Sequence, residues 1–232
     1  MIPARTSGTH PKTRIVVAAS CFADASSGVR LAALLSSRIE ADVEGVFVEE
    51  EEQAGLFHNP AARLVTPGGE QVAAPSPEEL RAALKRDALA FEREIARIAL
   101  EHARHWSFRT LRGRLLASIG ELLQAHDILL LGHRPLLRMR GPVIRLGATG
   151  RPDIAAGLAA DLGAPIVDIA IAAPMTAGSL AETLALVGRT SASAIVIDTA
   201  SGPFRTPGEI NDLLDAARCP VILVGAPASD GG

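Results

Sequence analysis

The chain has 232 residues, 48% hydrophobic and only 3% aromatic, with no Tyr and a formal charge of −3. The basic surplus and interleaved aromatics of a nucleic-acid binder are missing, and no apolar run reaches the about 18 residues of a membrane span. Residues 1–12 lack the apolar centre of a secretion signal, and Cys21 and Cys219 have no metal or redox spacing, so a reducing cytoplasm is expected.

A core built from Ala, Leu, Ile and Val suits a parallel sheet buried on both faces. The run at 14–19 reads as a first strand, closed by a small polar stretch at 20–27. A helix follows, with Val29, Leu31, Leu34, Leu35 and Ile39 at three- and four-residue steps. Residues 43–48 are a second strand, which makes a β-α-β unit with parallel strands. Segment 49–75 breaks the rhythm. It opens on four glutamates, Glu49 to Glu52, and carries repeated Gly and Pro, so it reads as an acidic insertion that could meet a protein partner.

Ser76, Pro77 and Glu79 spell a helix start with a capping box. The apolar stripe Leu80, Leu84, Phe91, Ile95, Ile98 carries that helix to about residue 104, roughly 40 Å at 1.5 Å per residue. Residues 106–111 alternate and read as a strand near an edge. A helix at 115–125 and a buried strand at 127–132 come next, then the basic loop 133–140.

A similar rhythm restarts there. Strands are expected at 143–146, 166–172, 194–198 and 221–224, and helices at 152–162, 179–189 and 207–217. Thr206 and Glu209 repeat the capping-box logic. The predicted class is α/β, with two tandem doubly wound parallel-sheet units. The first is 13–141 with the insertion 49–75, the second a trimmed unit at 142–226, and 1–12 and 227–232 are flexible termini.

The opening strand, the helix at 27–40, the strand ending Val46-Phe47-Val48, the stretch from Gly113 to Gly132 and the run from Cys219 to Val224 together resemble the universal stress protein family. That resemblance implies a stress-response or regulatory role, ATP or another adenine nucleotide as ligand, pairing of units through the last strand, and a possible homodimer. By strand alignment it implies Val46 and Val48 at the base through their backbones, Ser20 near the ribose, and Gly132, Arg134, Arg138 and Gly141 at the phosphates. The family's phosphate loop is degenerate here. Ser20 replaces an acid, Pro135 and Pro142 interrupt the loop, and Asp198 replaces the corresponding glycine of the second unit.

Arginine forks could hold phosphate in place of a glycine cradle. Gly147 to Gly150 is a second anion candidate, at a strand-to-helix turn. His102 and His105 sit near a helix end beside Glu101 and Arg104, and read as helix-end cations rather than metal ligands. No nucleophile elbow or Walker A motif singles out a catalytic residue. Three readings therefore stand: a nucleotide-binding stress or regulatory protein, a non-binding interaction module, and an enzyme for a small anionic metabolite.

Overall fold

The computed structural model describes residues 13–50, 63–65, 71–73, 75–102, 105–120, 122–132, 141–148, 150–171, 176–200 and 203–225. In chain order the elements are β1 (Arg14–Ala19), α1 (Phe22–Arg38), β2 (Asp42–Glu49), β3 (Arg63–Val65), β4 (Gln71–Ala73), α2 (Pro77–Glu101), β5 (Trp106–Arg112), α3 (Leu115–Gly120) and β6 (Ile128–Leu131). Then follow β7 (Val143–Leu146), α4 (Pro152–Leu162), β8 (Ile166–Ile169), α5 (Ala177–Arg189), β9 (Ala194–Asp198), α6 (Pro207–Ala216) and β10 (Val221–Val224).

Eight strands form one sheet in the order β5-β2-β1-β6-β10-β9-β7-β8. All neighbours are parallel except β6 and β10, which run antiparallel from Val221 opposite Leu131 to Val224 opposite Ile128. The sheet therefore reverses direction once, in its middle. The carboxyl ends of β1, β2, β5 and β6 share one edge with the amino ends of β7, β8, β9 and β10. This is the α/β class the apolar pattern predicts.

Both faces of the sheet are covered, which is why its strands are continuous apolar runs. On one face α1, α2 and α4 bury Leu31, Leu35, Phe91, Ile95 and Leu158 against Ile15, Val17 and Leu130. On the other, α3, α5 and α6 bury Ile119, Val187, Ile210 and Leu213 against Val16, Leu129 and Leu223. Each such side chain contributes roughly 1.5–3 kcal/mol of transfer free energy. The first core runs from β5 to β7 and the second reaches both edges. Among the described residues no helix is long and apolar enough to cross a membrane.

Capping fixes the helix starts. Ser76 with Glu79 and Thr206 with Glu209 form capping boxes at α2 and α6, and Thr176 with Ser179 forms a third at α5. Helix α1 begins at Phe22, five residues before the position its apolar period suggests. The Phe22 amide donates to Asp87 Oδ2 of α2 at 3.0 Å, a cap supplied from 65 positions away. The insertion also holds structure absent from the sequence reading: β3 and β4 pair as an antiparallel hairpin.

The largest difference lies at α3, which ends at Gly120 rather than near residue 125. Arg14 explains it. Its Nη2 donates to the Leu122 carbonyl at 2.7 Å and to Asp127 Oδ2 at 2.5 Å, while Nη1 reaches Glu44 Oε2 at 2.5 Å. Asp127 also accepts from the Gln124 amide at 2.8 Å. The Gln124 amide, which would otherwise extend the helix, is thus bonded to Asp127, itself part of a buried ionic knot with Arg14. Arg109 approaches the other Glu44 oxygen as an ion pair without hydrogen-bond alignment. Glu44 and Asp127 are almost wholly buried, so removing Arg14 would leave Asp127 without a cation and Glu44 with Arg109 alone, a cost of about 3–5 kcal/mol.

Candidate functional site

The short α3 leaves part of its sheet face uncovered. Between α3 and α6 lies a cleft of about 680 Å³, floored by Leu131 and Gly132. It runs along α6 from Pro207 to Cys219 and opens at the carboxyl edge of β2 and β6, beside Glu50, Gly113 and Arg114. Strand order turns back at β1, whose neighbours are β2 and β6. In open α/β sheets the crevice outside the carboxyl ends at such a turning point is where ligands sit. Asn211, Asp215, Arg114 and Glu50 give the lining polar and charged groups. Cys219 in its wall is buried, and burial pushes its thiol up to about 12.

Of the residues implied by the resemblance, Ser20, Val48 and Gly132 lie at this edge, and Val46 lies further back in β2. Ser20 directly follows β1 and is partly buried. Val46 and Val48 are fully buried, backbone included. The Asp42 amide donates to Thr13 and the Gly113 amide to Glu49. Strand alternation then turns the polar groups of Val46 and Val48 toward β1. Val46 lies within the β1 ladder, opposite Ala18, whereas the last β1–β2 pair is Ala19 with Phe47. Val48 is therefore the one of the two whose carbonyl lies past the end of β1.

Gly132 lines the cleft, and its lack of a side chain has a packing cause. A Cβ there would stand 1.7 Å from the Asp24 carbonyl oxygen in the first turn of α1. Gly28 of α1 faces the same spot, with Val17 at 3.0 Å and the Gly132 amide at 3.6 Å from its own ideal Cβ. Helix α1 thus closes the crevice on its side of the sheet, and access is left on the α3 side.

Gly141 is not brought to Gly132. It precedes β7, so β10 and β9 lie between them, three strand spacings or about 14 Å. Its φ of +135° and an ideal Cβ only 2.1 Å from the Ser191 carbonyl oxygen tie it to the turn before β9. Ser193 Oγ donates to its carbonyl at 2.8 Å. Arg134 and Arg138 lie outside the described residues.

In the second half the turn from Gly147 to Gly150 is satisfied from within. Asp198 Oδ2 accepts from the Gly150 amide at 2.7 Å, and Oδ1 accepts from Ala200 at 2.9 Å. A carboxylate, buried at the end of β9, stands beside the start of α4, where an external anion would otherwise be favoured. The nearby guanidinium of Arg145 is likewise engaged, in a fork on Asp168 at 2.6 and 2.7 Å. Sequence reasoning marked Asp198 as hostile to phosphate. It missed that the same residue holds the loop it was weighed against.

No protein-family model and no curated protein sequence matches the chain. Among solved structures, it is similar to a universal stress protein from Archaeoglobus fulgidus DSM 4304, at 8% identity and a TM-score of 0.45, over 92% of this chain and 96% of that one. It is also similar to a protein from the universal stress protein family from Burkholderia pseudomallei, at 17% identity and a TM-score of 0.29, again over 92% and 96%.

Proposed function

We propose that this chain is a cytoplasmic regulatory protein of the universal stress type, built from two paired β-α-β units. In this reading it holds an adenine nucleotide at the carboxyl edge of β1, β2 and β6. The observation that supports it most directly is the cleft floored by Leu131 and Gly132, beside the point where strand order turns back. The base would meet the backbone at Val46 and Val48, which are fully buried and would have to open on binding, and Ser20 would meet the ribose. With the glycine cradle lost, Arg134 and Arg138 would supply the charge for the phosphates, since guanidinium forks bind phosphate oxygens in pairs. The two units would join through β10 and β6, the antiparallel pair at the centre of the sheet.

The test is native mass spectrometry of protein purified without added nucleotide, with thermal shift on titrating ATP. Co-purified adenine nucleotide, or an ATP-dependent rise in Tm lost in the Arg134→Ala, Arg138→Ala double variant, is the expected result. ATP binding unchanged in that variant removes the arginines from the site. No nucleotide and no shift removes the nucleotide itself, leaving an interaction module.

A further inference from the structure

Among the described residues, β5 and β8 are the two edges of the main sheet. They differ in kind. β8 offers four residues and β5 seven. β5 also runs beside α2, and a groove of about 470 Å³ lies between them. Leu84, Ala88, Leu89 and Phe108 give it apolar walls, with Glu92 and Arg109 further along, and Phe108 is fixed edge-on against Phe91 with ring centroids 5.4 Å apart.

The groove is graded along its length. Helix α2 leads directly into β5, so the two run in opposite directions and the start of α2 lies at the carboxyl end of β5. Arg81, Lys85 and Arg112 gather there. Glu49 answers Arg112 at 3.2 Å, while Arg81 and Lys85 have no carboxylate partner among the described residues. At the other end Trp106 is 41% exposed and Leu100, six positions earlier in the chain, is 79% exposed. An exposed edge strand presents unpaired amides and carbonyls that another strand can use, and an adjoining groove then reads alternate side chains of the incoming strand.

We infer that the β5 edge and the α2 groove dock an extended peptide segment of a partner protein, acidic at the Arg81 and Lys85 end and apolar at the Trp106 end. A second copy of this chain fits the groove poorly. Paired antiparallel, its β5 would set Trp106 against the cationic end and Arg112 against the apolar end. The surface lies on the opposite face of the sheet from the seam cleft, so this inference does not depend on nucleotide binding.

Trp106 is the one tryptophan of the chain and reports directly on the edge. The probe is the blocked peptide Glu-Thr-Glu-Thr-Val-Thr-Val-Thr, used with its reversed sequence because the strand could add in either direction. One of the two is expected to shift Trp106 emission saturably, and its lysine-for-glutamate version to bind at least tenfold more weakly. In the full-length double variant Arg81→Glu, Lys85→Glu, with Tm unchanged, the preference should invert. Three outcomes overturn the inference. They are no saturable binding of either sequence by emission or anisotropy, binding that the charge reversal leaves unchanged, or concentration-dependent self-association that the variant abolishes while no peptide binds.

Discussion

Asp198 Oδ2 accepts the Gly150 amide proton across 2.7 Å, so the turn that leads into α4 carries its own anion. The second carboxylate oxygen holds Ala200 at the end of β9. One buried side chain therefore ties the carboxyl ends of β7 and β9 together and fills the position a phosphate would favour.

The consequence is testable with Asp198→Ala. Losing a buried charged acceptor and leaving the Gly150 amide unmatched should cost about 1–3 kcal/mol. Inorganic phosphate should then raise the Tm of the variant by several degrees more than that of the wild type. Equal phosphate stabilisation of both proteins would mean that the carboxylate does not occupy the anion position.

Residues 14–19, 143–146, 152–162, 194–198 and 221–224 were legible to the residue, because continuous apolar runs and local caps declare themselves in sequence. What was not legible depends on distant side chains. Nothing near Gly120 announces that Arg14 will reach the Leu122 carbonyl or that Asp127 will take the Gln124 amide just beyond α3. Nothing near Ser20 announces that Asp87 will cap Phe22. The glycines were found but their causes were not. Gly132 is a contact with α1 and Gly141 a turn before β9, and neither reason is visible without the topology.

Helix α6, which walls the cleft, should respond to acid through Glu209. Burial by itself would raise this carboxyl, but the amides of Arg205 and Thr206 and the Thr206 hydroxyl outweigh it and hold it below its ordinary value of 4.5. A depressed folded pKa gives stability that is fully present above the unfolded value and is lost as pH falls through the folded one. Denaturation midpoints should therefore decline below about pH 4.5, and Glu209→Gln should flatten that part of the profile. Thr206→Ala removes the reciprocal partner and should cost about 1 kcal/mol at neutral pH. An acid limb unchanged in Glu209→Gln would place its origin elsewhere.

The two cysteines separate by environment. Cys21 is partly exposed at the α1 start and donates to Asp24 Oδ2 at 3.0 Å. Cys219 is buried, and its thiol, pushed up to about 12 by that burial, is essentially all neutral at pH 8. Thiolate is the reactive form, so iodoacetamide at pH 8 should leave Cys219 unlabelled in the native chain and label both cysteines in denaturant. The same burial has a linked cost in base. The unfolded thiol ionises from about pH 9 while the folded one resists to about 12, so stability is full below pH 9 and drains away as pH rises through that interval. Cys219→Ala should lose stability overall by vacating a packed position, yet show a shallower alkaline decline than the wild type. Rapid native labelling of Cys219 would show that the wall of the seam cleft opens to solvent, and the alkaline slope would then be shallow in both proteins.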